Sequence, residues 1–144
     1  MTTDEPQIRV PDAELDFDDE LIYRWRGKLF TGTGFEELPG GGLSEVSYKY
    51  GAQEGPARDW YPSGNLKGES HYRENVLHGV AREYGEDGSL TAESFYEFGI
   101  LVKRREKDEN GKMLITFAIQ PGEYTYTMLD RYRREKGWPM SELS

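Results

Sequence analysis

One stretch of this chain is written twice, and that constrains its fold more than anything else in it. The segment Gly55-Pro-Ala-Arg-Asp-Trp-Tyr-Pro-Ser-Gly-Asn-Leu-Lys-Gly-Glu-Ser-His-Tyr72 returns as Gly79-Val-Ala-Arg-Glu-Tyr-Gly-Glu-Asp-Gly-Ser-Leu-Thr-Ala-Glu-Ser-Phe-Tyr96. A repeat with the step from Gly55 to Gly79 means one supersecondary unit stacked on copies of itself, since a single unit cannot bury its own apolar face. Degraded copies lie outside the pair. Gly32 to Glu45 opens the same unit with one residue fewer between Leu43 and Glu45, and Tyr48 precedes Tyr72 by the same step. Tyr23 to Gly32 follows the pattern of Tyr72 to Gly79, and Val102 to Leu114 keeps the Asn110-Gly111 turn with apolar Met113 and Leu114. Weak terminal copies suit a stack, whose ends must be capped or polar.

Each unit holds two short runs around a turn signal, Pro62 to Asn65 in one copy and Glu86 to Ser89 in the next. The second run alternates in both copies, Leu66 to Tyr72 and Leu90 to Tyr96, and period two marks a strand. The expected fold is therefore mainly β: a single-layer antiparallel meander of tandem hairpins over residues 23–114, with short connections at Asn75 to Gly79. An acidic segment, residues 1–22, precedes it. Residues 115–144 follow as a final strand (Ile115 to Ile119) and a capping helix over residues 123–136. Tyr124, Met128, Leu129 and Tyr132 form its apolar stripe, which is expected to close the open end of the sheet. Arg133, Arg134 and Lys136 complement the helix dipole, and Gly137, Trp138 and Pro139 end the helix.

Alternation sorts the strand residues onto two faces. Leu66, Gly68, Ser70 and Tyr72 share one, as do Leu90, Ala92, Ser94 and Tyr96, and this is the candidate core. On the other, a four-residue turn sets Arg58 opposite Glu69 and Trp60 opposite Lys67, then Arg82 opposite Glu93 and Tyr84 opposite Thr91. This face becomes a ladder of Arg-Glu pairs edged by aromatics, with His71 and Phe95 beside it. Such pairs specify register. They also form a candidate recognition surface, because Trp, Tyr and Arg are enriched at binding hot spots. The candidate partner-binding residues here are Arg58, Trp60, Glu69, His71, Arg82, Tyr84, Glu93 and Phe95.

The formal charge is −9, and most of it sits in residues 1–22, where eight carboxylates face Arg9 alone. Such a segment repels nucleic acid and anionic lipid and steers a basic protein partner. Asp16, Asp18, Asp19 and Glu20 are its candidate contacts. The plainer reading is a solvated, partly disordered leader. Mean hydropathy is −0.83, with no apolar run of membrane-spanning length and no basic-then-apolar secretion signal at the start. Zero cysteines suit the cytoplasm.

Catalytic patterns are absent. The two histidines, His71 and His78, are replaced in sister copies by Phe95 and Val102. Ser70, His71 and Asp59 lack a nucleophile elbow. Gly32-Thr-Gly34 lacks the ending of a phosphate loop, and Pro39 to Gly42 reads as a hairpin turn. Asp16 to Glu20 lacks the spacing of a calcium loop. No catalytic residue, cofactor or metal is expected. The basic run Lys103 to Lys107 is diluted by acids and reads as a solvated hairpin tip, so no direct nucleic-acid binding is expected.

The Gly27-Lys-Leu-Phe-Thr-Gly32 opening, the Trp60-Tyr-x-x-Gly-x-Leu66 hairpin and the Tyr-x-x-Gly/Asn ending resemble the MORN-variant repeats of bacterial YwqK-type antitoxin proteins. The resemblance implies a non-enzymatic immunity protein, monomeric when free, which neutralises a cognate toxin encoded beside it. Many such toxins attack nucleic acid through a basic cleft, which an acidic inhibitor would block. The alternative is a membrane-associated or structural scaffold for protein-protein interaction. The family offers no catalytic residues to carry over.

Overall fold

The computed structural model describes residues 8–138. Its strands are β1 (Arg9–Pro11), β2 (Leu15–Phe17), β3 (Tyr23–Trp25), β4 (Lys28–Leu29), β5 (Gly32–Glu37), β6 (Leu43–Lys49), β7 (Ala52–Trp60), β8 (Leu66–Arg73), β9 (Val76–Leu77), β10 (Gly79–Tyr84), β11 (Leu90–Glu97), β12 (Ile100–Lys107) and β13 (Met113–Ala118). Among the described residues one α-helix, α1, spans Tyr124–Lys136, and a short 3₁₀ turn covers Asp12–Glu14 between β1 and β2. The main sheet runs β1-β5-β6-β7-β8-β10-β11-β12-β13, with β9 paired to β8, while β2-β3-β4 forms a small separate sheet. The hairpin meander with a C-terminal helical cap is thus the architecture expected from the repeat.

Two kinds of turn alternate along the chain. Wide turns close with the first N–H on the carbonyl four residues on, at Leu38–Gly42, Tyr61–Asn65, Gly85–Ser89 and Asp108–Lys112. Tight two-residue turns lie at Arg26-Gly27, Tyr50-Gly51, Glu74-Asn75 and Phe98-Gly99, each with both φ values positive. Their spacing is the step of the repeat itself. Positive φ at both central positions is the hairpin geometry that matches strand twist, and Gly or Asn in the second place makes it accessible. The chain therefore reverses at Glu74-Asn75, and β9 intervenes before Gly79.

The Arg-Glu registers are as expected, with Arg58 opposite Glu69 and Arg82 opposite Glu93. The aromatic registers are not. Trp60 faces Leu66 instead of Lys67, and Tyr84 faces Leu90 instead of Thr91, because each hairpin takes up one extra residue beside its turn. Such a bulge adds twist to the strand pair. The first hairpin, β5-β6, has an unbroken register from Gly32↔Tyr48 to Glu37↔Leu43. The residue missing between Leu43 and Glu45 is the bulge residue, corresponding to Lys67.

From Ala52 to Thr91 no residue is fully buried, as a single layer requires. Depth is reached at the two ends. At one, Val10, Phe30 and Tyr48 form a core with Leu15, Tyr23, Trp25 and Val46 packed against it. Here the acidic segment departs from a solvated leader. From Arg9 onward it enters the fold, with β1 parallel to β5 and Val10 buried. Close approach explains Gly32 in β5: a Cβ there would stand 2.2 Å from the Ile8 carbonyl oxygen. The expected core column is buried only in part: Ala92 and Ser94 are buried on β11, whereas Leu66, Gly68, Ser70 and Tyr72 on β8 and Leu90 and Tyr96 are half-buried, and Phe95 and Glu97 of the other alternation are buried too.

At the other end, Phe95, Glu97, Val102 and Leu129 are buried. Helix α1 seats on the tight turn after β11. Tyr132 lies 5.6 Å from Phe98, Trp138 stacks on Phe98 at 5.0 Å, and Arg133 bonds Glu97. Gly137 ends the helix in left-handed conformation, as expected. Tyr124 is 78 % exposed and leaves the apolar stripe, which centres on Leu129. The helix does not bury the outer strand: Leu114, Ile115 and Phe117 on β13 remain exposed. Pro139 lies outside the described residues. The run Lys103 to Lys107 is a strand, β12, and the hairpin tip is Asp108–Lys112.

Candidate interaction surface

The ladder is longer than the repeat alone suggests. Register carries one row across six strands: Glu45 opposite Arg58, Arg58 opposite Glu69, Glu69 opposite Arg82, Arg82 opposite Glu93, and Glu93 opposite Arg105. Acid and base alternate at every step. Within hairpins the pairs close tightly, at 2.6 Å for Arg58–Glu69 and 3.1 Å for Arg82–Glu93. Glu45 is taken instead by Arg9 at 2.9 Å, whose guanidinium also lies over the Phe35 ring. The Arg58 and Arg82 side chains each keep 42 % of their surface, and their partners Glu69 and Glu93 keep 21 % and 17 %. Pairs this exposed contribute about 0.2–1 kcal/mol each, so their weight is in register and display.

The flanking residues divide. His71 lies 4.0 Å from Glu69 through Nε2, and its Nδ1 is 3.2 Å from the Val80 carbonyl oxygen. Trp60 and Tyr84 are half-buried beside the wide turns, where the Tyr61 hydroxyl donates to the Tyr84 carbonyl. Phe95 is different. At 3 % exposure it is packing, with the Arg105 guanidinium 5.8 Å from its ring, and it presents no surface to a partner.

The acidic candidates sit elsewhere. Asp16 pairs in register with Arg24 on β3, and Asp16, Asp18, Asp19 and Glu20 are all exposed. Asp18 has work within the fold. Its carboxylate accepts from the Glu20 and Ile22 amides and from Arg24, and the Ile22 amide, then Arg24, holds its pKa below the ordinary carboxylate value. Asp16, Asp19 and Glu20 are left to face solvent.

A groove of about 1050 Å³ opens beside the ladder, reaching Glu45 and Arg58 on one side and Trp25, Lys28 and Leu29 of the small sheet on the other. Tyr50, Ile8 and Leu29 are exposed large side chains on its wall. Sequence reasoning missed this groove, because it joins β3-β4 to β6-β7 and no linear pattern marks the junction. Glu45 and Arg105 were readable: Glu45 lies one full repeat step before Glu69, and Arg105 lies one residue short of a step after Arg82.

The arrangement offers binding chemistry. Among the described residues no group of three or more His, Asp or Glu could hold a metal ion. Burial raises the pKa of the Tyr48 and Tyr72 hydroxyls, which keeps them neutral in the sheet. No described helix is long and apolar enough to cross a membrane. Residues 53–74 and 77–98 match the family model of the MORN repeat variant. Each matched segment opens beside one tight turn, at Gly51 or Asn75, and ends inside the next, at Glu74 or Phe98. No curated protein matches the chain.

Proposed function

We propose that this protein is a non-enzymatic binding protein of the immunity type, whose ladder face docks on a cognate protein toxin and occludes its working cleft. The MORN repeats are compatible with a protein-interaction scaffold. One observation carries the reading: an alternating Glu-Arg row across six strands, half-exposed, flanked by Trp60 and Tyr84. Half-buried aromatics beside arginines are residue types that protein interfaces use as anchors. The exposed carboxylates Asp16, Asp19 and Glu20 add a long-range field that attracts a basic partner and speeds its approach.

The test is co-expression with the product of the adjacent reading frame, followed by calorimetry on the purified pair. Trp60→Ala costs about 2 kcal/mol or more in binding if Trp60 is an anchor. Reversing Asp16, Asp19 and Glu20 to lysine slows association at low salt and leaves the turn built by Asp18 intact. Unaltered affinity in a folded Trp60→Ala protein, with no protection against the neighbour, ends the proposal.

A further inference from the structure

The tight turns give the molecule an internal comparison. Lys49-Tyr50-Gly51 and Glu97-Phe98-Gly99 are equivalent positions, two units apart. Both place an aromatic residue in left-handed conformation at the turn, φ 48° for Tyr50 and φ 53° for Phe98. A large aromatic residue rarely adopts that conformation. At Phe98 the ring is covered: Trp138 stacks on it, Tyr132 lies beside it, and Arg133 of the same helix forms a two-pronged ion pair with Glu97 at 2.9 and 2.6 Å. His78 meets the same ring edge-on at 5.0 Å from the sheet side, and the outer aromatic cover and the charge pairing come from one segment, residues 132–138.

At Tyr50 the same arrangement stands uncovered. The ring is 70 % exposed on the wall of the groove. Lys49 takes the place of Glu97, so the sign of the charge is reversed. Arg26 and Lys28 reinforce it from β3-β4, and among the described residues none of Arg26, Lys28 and Lys49 has a carboxylate within ion-pair distance. Three free cations gather in one groove of a chain whose net charge is −9; of the two carboxylates that also line it, Glu45 is paired with Arg9 and Glu54 accepts from the Glu74 amide. Arg26 already lies over the Trp25 ring at 4.3 Å, which leaves its remaining donors for an anion.

We propose that this groove binds an acidic, aromatic-bearing segment of a partner protein, which docks on Tyr50 and Lys49 as residues 132–138 dock on Phe98 and Glu97. The occupant's ring covers Tyr50, and its carboxylates meet Lys49, Lys28 and Arg26. Charge complementarity selects an acidic segment. A basic one would meet three like charges, and an apolar one would leave them unpaired in a closing groove. The inference deepens the reading of this chain as a binding protein, and names a second contact whose chemistry is opposite to that of the acidic turn.

The test uses the whole protein and no cognate partner. Random peptides of roughly 16 residues, about 24 Å if helical, are displayed and selected on the wild-type chain, then counter-selected on Lys28→Glu/Lys49→Glu. Peptides kept by the wild type and lost by the variant are expected to be rich in Asp and Glu with at least one aromatic residue. Synthesised, they should bind at least about tenfold more weakly to the variant and to Tyr50→Ala, and equally well to Arg134→Ala on the exposed side of α1. Amide shifts on binding should centre on residues 26–29 and 49–51. Circular dichroism confirms that each variant is folded. Enrichment of basic peptides, equal affinity for the Lys28→Glu/Lys49→Glu variant, or no enrichment at all would overturn the proposal. Any of these leaves the ladder face and its Trp60 test standing, since the two surfaces are read by different variants.

Discussion

Two regions of this molecule pair arginine with glutamate and use the pair for opposite ends. In the middle of the ladder, Arg58–Glu69 and Arg82–Glu93 lie on an open face, where the arginine side chains keep 42 % of their surface and water screens the pairs, while the carboxylates keep 21 % and 17 %. At the helix-covered end, Glu97 is fully buried and Arg133 supplies both of its side-chain bonds. A buried carboxylate without a counter-charge costs several kcal/mol. The same two residue types therefore set register in one place and hold a helix down in the other. Burial decides which.

The largest expected effect breaks that contrast directly. Arg133→Ala strands the Glu97 carboxylate under α1, and should lower unfolding free energy by about 3–5 kcal/mol in urea titration. The double variant Glu97→Leu/Arg133→Met removes both charges and should recover most of the loss, because the penalty belongs to the unpaired charge. If Arg133→Ala costs no more than Arg58→Ala, then burial is not what separates the two regions.

A middling effect is expected at the bulge. Deleting Lys67 gives β7-β8 the unbroken register that β5-β6 already has. The sister hairpin folds without this residue, so the cost should stay near ~1 kcal/mol, at the mild end for single changes. Coupling between Arg58 and Glu69, measured by a double-mutant cycle in the deletion background, should persist. Its disappearance would show that the bulge aims the ladder.

The repeat made the meander readable, and with it the Arg58–Glu69 and Arg82–Glu93 pairs, because a strand pair translates sequence offset into register. It also recorded the bulge, as a residue present in two copies and absent between Leu43 and Glu45, although its meaning needed the paired strand. Other features were hidden for physical reasons. Val10 sits among carboxylates, so composition masked a strand that β5 recruits. Glu97 and Arg133 are far apart in the chain, on elements of different period, and nothing local marks either as buried. Arg26, Tyr50, Glu74 and Phe98 take left-handed turns despite side chains that disfavour them; only the Gly, Gly, Asn, Gly series that follows them signals the turn. The groove is legible only from the fold, since it lies between two sheets.

Smaller still is the ladder pair itself. Arg58→Ala and Glu69→Ala should each cost about 0.2–1 kcal/mol, with coupling that falls as salt rises. Coupling of several kcal/mol would mean that the open face is as dry as the helix-covered end, and would erase the distinction between them.

The faintest test carries the comparison into the acidic segment, where two aspartates shift in opposite directions. Burial, and then the neighbouring Glu36 charge, raise the pKa of Asp12, whose buried Oδ1 has no hydrogen-bond partner among the described residues. Asp12 therefore holds its proton more tightly folded than unfolded. Its contribution to stability is full below the unfolded pKa and is lost as pH rises through the folded one. Asp18 is exposed and its pKa is lowered, first by the Ile22 amide and then by Arg24, so its contribution is present above the unfolded pKa and lost as pH falls through the folded one. Thermal melts of Asp12→Asn and Asp18→Asn should then part company at neutral pH, the first melting above the wild type and the second below it. Both differences should close on acidification below about pH 4, the ordinary range for aspartate. A shared sign at neutral pH would mean that desolvation at Asp12 is outweighed by contacts its carboxylate makes in solution, and that burial does not sort the carboxylates of this segment as it sorts the ion pairs of the sheet.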